Sequence, residues 1–509
     1  MATHCLCGRC RRARLSWWLW NRWRPPGRKE GLPVNTKTSS RPNILFIMTD
    51  QHHADALGFA GHPLVKTPNL DKLAAQGAWF RQMYSCSAIC APSRTSFFTG
   101  AYLRTHGHMA NQGDLQRDLP NMVAEARAAG YRTGVCGKSH VPHKIFRHFE
   151  HVRTLQDYKE MLEAEGLKDN DNVPPFHQQF MSAPSLLPNA KHRITWTADR
   201  AIEFLNDESD RPFFLWCTFD PPHAAHTPSP EFDSLYDPAA IPVDWDAYER
   251  FERSRVGQRA MIETFWNIGS VRGNPRIFQK AVCRYLALIT QIDEQVGRIL
   301  DALDKTGLAG NTIVIFTADH GDFAGHWGQL GKNIPGYDDL IRIPFIYYDP
   351  ARDDHGRCIE GLFQNVDVFP SLWERLGLET PPTVQGESFL PALDGCPGAA
   401  REYVFSETHN VKIVRNQEWK LIFHAVHPER GQLFRMGARP DETVNLWDDP
   451  QYAHIKQRLM EQLTAWMVRC EQADGMDAAM EPFVNTRWYR WLARQPLQSE
   501  DQQHPRNRV

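Results

Sequence analysis

The sequence predicts an α/β protein with a mostly parallel central sheet and helices on both faces. A small C-terminal α+β subdomain with a short antiparallel sheet follows. Two observations carry this expectation. Short apolar runs of strand length alternate with helical stretches, the rhythm of a sheet covered on both sides. Each run is also followed by polar, chemically reactive residues, which is where open α/β sheets place their ligands.

In chain order, Ile44 to Met48 is the first such run and leads into Thr49, Asp50 and Gln51. A helix follows, with Thr67-Pro68 as its start signal and Gly77 as its stop. Leu119 to Ala129, ended by Gly130, reads as a second helix, and Tyr131 to Cys136 as a strand leading into Gly137, Lys138 and His140. Pro212 to Phe219 leads into Asp220, Pro221, Pro222 and His223. The longest helix is expected over about Ala281 to Leu303, with Leu288, Ile289, Ile292, Val296, Ile299 and Leu303 on one face. Thr312 to Phe316 then leads into Asp319, His320 and Gly321. Four strands are thus expected to deliver side chains to one edge of one sheet. Residues 144–195 and 224–280 are polar and aromatic without this rhythm and read as insertions over that edge. Beyond Pro391, Val411 to Val414 and Trp419 to Phe423 read as strands around a turn, and Gln451 to Met467 as a helix.

With 509 residues, 42% hydrophobic and 23% charged, the chain has ample material for a large core. The expected organisation is a disordered basic tail over 1–40, a catalytic domain over 41–400, a subdomain over 401–480 and a tail over 481–509. A net charge of -2 supplies no field that draws the chain to nucleic acid or an acidic membrane. No apolar run approaches the roughly 20 residues of a membrane helix. Arg9, Arg11, Arg12 and Arg14 precede an apolar patch too short for an export signal, and the cysteines beyond Cys10 are scattered singly. A cytoplasmic enzyme is therefore expected. The aromatic, basic segment from Phe483 to Leu492 is a candidate contact for a homo-oligomer.

The sharpest local signal is Cys90-Ala91-Pro92-Ser93-Arg94, continuing to Thr99-Gly100. It resembles the signature of the formylglycine-dependent sulfatases of the alkaline phosphatase superfamily, in which a formylglycine-generating enzyme oxidises the cysteine to an aldehyde. The likeness runs in motif order over most of residues 41–470. An ester of sulfate or phosphate carries charge that repels a nucleophile, so its site must neutralise oxygens and hold an activated oxygen in line. A hydrated aldehyde has two hydroxyls on one carbon, one to attack and one to expel the inorganic group. A thiol or a serine hydroxyl lacks the second.

Carboxylates and an imidazole at separate strand ends make a hard, oxygen-rich metal site. The resemblance implies that Asp50, Asp319 and His320, with position 90, form the shell of one divalent ion. Calcium is favoured and manganese is the alternative. Many sulfatases have a second aspartate where this chain has Gln51, a departure shared with phosphonate and phosphodiester hydrolases. The resemblance further implies that Lys138 and His140 contact the formylglycine and substrate oxygens. His223 would lie beside the leaving oxygen, Lys332 would clamp the transferred group, and Arg94 would fix position 90 and balance the carboxylates. Asn111 falls where related choline sulfatases and phosphonate hydrolases bind substrate; a turn residue is the other reading. His106 and His108 read either as pocket or as surface.

The implied function is hydrolysis of small sulfate esters. Phosphonate monoester or phosphodiester hydrolysis by the same core is the alternative, and a non-catalytic relative that keeps the thiol is a second.

Overall fold

The computed structural model describes residues 41–472, apart from 116, 170–181, 244–274, 333–335, 409, 438–441 and 443. The expected tails over 1–40 and 481–509, including Phe483 to Leu492, lie outside the described residues.

The strands expected from the apolar runs lie side by side at the centre of an eight-stranded sheet, in the order Thr312–Ala318, Asn43–Asp50, Phe213–Pro222, Arg132–Gly137. All four run parallel. Along Asn43–Asp50 every residue is buried, because successive side chains enter opposite covered faces. Phe46 and Met48 join one core and Leu45 and Ile47 the other. His151–Thr154 adds a parallel strand beside Arg132–Gly137. On the other side Phe345–Tyr348 runs antiparallel, followed by Ala78–Phe80 and Arg357–Ile359.

The helix Pro275–Lys305 presses Leu288, Ile292, Val296 and Ile299 onto the Leu45 face. The helices Cys90–Thr99, Met122–Ala128 and Val368–Leu376 cover the Phe46 face. Several boundaries depart from expectation for local reasons. Met122 rather than Leu119 opens the second helix, because Asn121 caps it by accepting from the Ala124 N–H at 3.0 Å. Thr67 precedes Pro68–Gln76 as expected, but its hydroxyl accepts from the Gly58 N–H and donates to Asp71 instead of capping. The expectation of irregularity over 144–195 is corrected. The described part holds an edge strand and the helix Leu155–Ala164, started by a Thr154–Asp157 capping box. The edge strand is only partly buried, so its hydrophobic pattern is weak.

The strands Val404–Glu407, Val411–Arg415, Trp419–His424 and Gln432–Arg435 form an antiparallel sheet packed on the helix Ala453–Gln472 through Val414, Leu421, Leu463 and Trp466. Asp338, at the start of the short helix Asp338–Ile341, fastens this sheet to the strand Met83–Tyr84, part of a separate three-stranded sheet. Its carboxylate accepts from Arg415 at 3.1 Å, Lys420 at 3.0 Å and the Tyr84 hydroxyl at 2.9 Å, all buried. Among the described residues no helix is long and apolar enough to cross a membrane, and Cys86, Cys90, Cys136, Cys217, Cys283, Cys358 and Cys470 form no disulfide.

The C-terminal sheet edge is closely packed. Gly137 has φ 102°, and a Cβ there would lie 2.0 Å from the Thr218 carbonyl oxygen. Gly137→Ala is expected to cost about 3 kcal/mol or more in chemical denaturation, from strain and clash together.

Candidate active site

The four central strands end at one place, and each contributes there. Asp50 closes its strand at a register shift against Phe213–Pro222, a bulge that turns the chain out of the sheet. Gln51 follows with φ 62°. Asp319 and His320 follow Thr312–Ala318 directly, and Lys138 follows Gly137. Cys90 is the first residue of its helix, which Gly100 ends in the left-handed conformation at φ 62°. The Thr-Gly of the cysteine motif is thus a helix stop.

These residues converge. The Cys90 Sγ lies 3.6 Å from Asp50 Oδ1, 3.3 Å from His320 Nε2 and 2.9 Å from Lys332 Nζ. His320 Nε2 is 3.7 Å from an oxygen of Asp50 and 3.7 Å from one of Asp319. Arg94 spans the floor. Its Nε donates to Asp319 at 2.8 Å, one terminal nitrogen to Asp50 at 2.9 Å, and the other to the Lys138 carbonyl at 2.6 Å and the Thr218 hydroxyl at 3.0 Å. Asp50, Arg94, Asp319 and His320 have no exposed surface.

The electrostatics follow from this packing. Burial alone would raise the Asp50 carboxyl, but Lys138, His223, Arg94 and Lys332 outweigh it and hold it well below the usual carboxylate range. Asp319 is pushed up by burial and by the Asp50 charge. Burial and Asp50 oppose ionisation of the Cys90 thiol, yet Lys332, His320 and a hydrogen bond from His140 keep it well below the normal thiol range.

The carboxylates of Asp50 and Asp319 fit a hard divalent cation, with His320 as a nitrogen donor, whereas position 90 as a cysteine offers a soft sulfur and would join them as a hard donor only after oxidation to an oxygen group. One ligand atom each from Asp50, Cys90, Asp319 and His320 lie within 4.8 Å of one another. The tautomer of His320 is also suitable: its Nδ1 faces the Gly321 carbonyl at 2.9 Å, which can only accept, so neutral His320 turns a lone pair at Nε2 into the cluster. A cation between the two carboxylates would relieve the repulsion that raises Asp319. Gln51 is oriented by Asp322, whose carboxylate accepts from its amide nitrogen at 2.6 Å. Its carbonyl oxygen is the atom left for a cation.

A second cluster, His53, His326 and Asp339, is similar in composition but not in chemistry. The Asp55 N–H donates to His53 Nδ1 at 3.1 Å, so neutral His53 carries its proton at Nε2 and donates it to Asp339 at 2.9 Å. That is the wrong tautomer for a metal ligand. His326 and Asp339 line a cavity of about 1120 Å³ beside Trp79 and Trp327, a cavity that none of the converging residues lines. Its charged walls pair with each other, Arg342 with Asp55, Arg415 with Asp338 and Arg81 with Glu360.

The remaining sequence candidates divide. Lys138 Nζ is 2.8 Å from Asp50, and its electrostatic neighbour His223 is half-buried with Nδ1 on the Ala224 carbonyl at 2.6 Å. Asn111 accepts from the Ala91 N–H at 3.1 Å, so its carbonyl oxygen satisfies the start of the Cys90 helix and only its amide N–H groups remain for a ligand. His106 and His108 are buried against that helix, on Ser96 and Thr95, and are not surface residues. Sequence reasoning missed Asp220, Asp322 and Asn365. Asp220 meets Lys138 at 2.8 Å, and Asn365 holds the Ser93 carbonyl at 3.1 Å. Asp322, three residues after Asp319, had a readable spacing. Asn365 had none.

Comparison with known proteins gives the family and the fold. Residues 42–378 match the sulfatase family model, and 325–469 match that of the N-sulphoglucosamine sulphohydrolase C-terminal region. The chain belongs to the sulfatase family. It is 28% identical to an arylsulfatase of Clostridium perfringens over 81% of this chain and 91% of that protein. It is 26% identical to a choline-sulfatase of Rhizobium meliloti over 93% and 97%. The phosphonate monoester hydrolase of Agrobacterium radiobacter has the same fold, with TM-score 0.73, 23% identity and coverage of 84% of this chain and 96% of that one.

Arg94→Met would leave two carboxylates buried without their guanidinium. It is expected to destabilise the protein by about 3–5 kcal/mol in denaturant titration. Arg94→Lys is expected to recover only part, since an ammonium cannot span both carboxylates.

Proposed function

We propose that the protein hydrolyses sulfate esters, using a formylglycine generated from Cys90 and one divalent cation held by Asp50, Gln51, Asp319, His320 and position 90. The observation that carries this reading is the approach of Cys90 to Asp50, His320 and Lys332 at 3.6, 3.3 and 2.9 Å. A hydrated aldehyde at that point supplies a nucleophilic hydroxyl and, on the same carbon, a second one able to release sulfate as the carbonyl re-forms. The cation supplies charge for the ester oxygens. The carboxylates of Asp50 and Asp319 and the side-chain amide of Gln51 make a donor set rich in hard oxygens, which favours calcium, with manganese as the alternative.

The chain's own groups complete the chemistry. Lys138 and Lys332 neutralise the transferred group, and His140 orients position 90. His223 or Lys332 gives a proton to the departing alcohol oxygen. Arg94 keeps Asp50 ionised and Asp319 in place. Cys86, Cys136, Cys217 and Cys283, buried as free thiols, fit a cytoplasmic location. The formylglycine-generating enzyme is the partner this reading requires.

Gln51, in the place of a usual aspartate, favours a second reading as a phosphonate monoester hydrolase. Lys138 weighs against it, because a neutral hydroxyl is usual there in those enzymes.

Matured protein is expected to hydrolyse an aryl sulfate with kcat/KM at least about tenfold above that for an aryl phosphonate monoester. The reverse preference would make the phosphonate reading the correct one. Cys90→Ala should lower kcat/KM by about a thousandfold or more, and the peptide spanning residue 90 should carry an aldehyde by mass analysis. An unmodified thiol in active protein refutes the covalent route. Chelation should lower the melting temperature, with calcium restoring it better than magnesium.

A further inference from the structure

Asp220 is not part of the metal cluster and does not touch Cys90, yet it is tied to the lysine that faces the transferred group. Its Oδ1 lies 2.8 Å from Lys138 Nζ, which is also 2.8 Å from Asp50 Oδ2. Its Oδ2 faces Arg193 Nε at 3.7 Å, and the Arg193 side chain is 4% exposed. Asp220 stands on the last residues of the Phe213–Pro222 strand, three before His223, whose N–H donates to the Asp220 carbonyl at 3.2 Å.

An ammonium has three N–H donors at tetrahedral angles. With one directed to Asp50 and one to Asp220, a single donor direction is left for a substrate oxygen. The same carboxylate lies between two cations, Lys138 and Arg193, and offsets one unit of their charge. A transferred group with two negative charges loses twice as much attraction from that offset as one with a single charge.

We propose that Asp220 is a positioning and specificity-determining residue. It aims the remaining N–H of Lys138 at one oxygen and biases the site towards esters whose transferred group bears one negative charge. Sulfate monoesters and phosphonate monoesters are of this class. Phosphate monoesters, which are dianions near neutral pH, are disfavoured. The inference rests on the proposed placement of Lys138 against the substrate.

The test uses matured, metal-loaded protein at about pH 8, where a phosphate monoester is a dianion. Asp220→Asn keeps the shape and an acceptor for Lys138 but removes the charge; Asp220→Glu keeps the charge but displaces it. For Asp220→Asn, the ratio of kcat/KM for aryl phosphate to that for aryl sulfate should rise about tenfold, and calorimetry should show inorganic phosphate binding about fivefold tighter. For Asp220→Glu, kcat should fall for both esters with the ratio within twofold of the parent. A purely structural role would lower both activities together in Asp220→Asn and leave the ratio and phosphate binding unchanged, which overturns the proposal. Should Asp220→Asn fail to fold, a ratio in Asp220→Glu shifted as far as tenfold overturns it too, and a preserved ratio supports it. Should the parent protein prefer the phosphonate monoester, the sulfate reading falls, but the monoanion-to-dianion ratio is still measured with the phosphonate.

Discussion

The guanidinium of Arg94 joins the ends of four strands. It reaches Asp50, Asp319, the Lys138 carbonyl and Thr218, which come from four distant stretches of chain. A rigid planar fork is needed, because each acceptor lies in a different direction and Arg94, Asp50, Asp319 and Thr218 are all sealed from water. Buried ion pairs of this kind are poor sources of stability, since desolvation cancels much of the Coulomb gain. What they provide here is position: two carboxylates held close together at the mouth of a sheet, with Asp50 kept in its charged form.

Everything else at the site is arranged around that fixed floor. The Cys90 helix is anchored through Ser93, whose hydroxyl donates to the Asp319 carbonyl at 2.5 Å, and through Asn365 on the Ser93 carbonyl. Asn111 satisfies the helix start, so Cys90 faces the carboxylates without a capping side chain of its own. The segment from Asp319 to Lys332 supplies the ligands at one end and the lysine at the other. Asp322 accepts from the Gly331 N–H at 3.0 Å and so closes that segment into a loop. Residues twelve apart in sequence thereby meet at 2.8 Å, His320 against Lys332.

Much of this was legible beforehand, and for identifiable reasons. The four central strands are buried on both faces, so their apolar runs are continuous and conspicuous. Asp50, Lys138 and Asp319 could be placed because each follows such a run directly. The outer strand His151–Thr154 could not, since partial burial leaves its composition polar. The start of the helix at Met122 was misread because Asn121 looks like an interior residue until its side chain is seen on the Ala124 N–H. His106 and His108 were ambiguous in the same way: burial against a helix is a tertiary fact.

The sequence by itself determined the order of elements, the place of the cysteine motif and the set of polar residues at strand ends, because these depend on local composition and on a short motif. Only the tertiary structure decided which imidazole suits a metal. His320 and His53 differ in whether Nδ1 meets a carbonyl or an N–H, and that depends on the fold of a loop. It also decided that Asp220 belongs with Lys138, since the contact joins residues 82 positions apart whose strands happen to be neighbours.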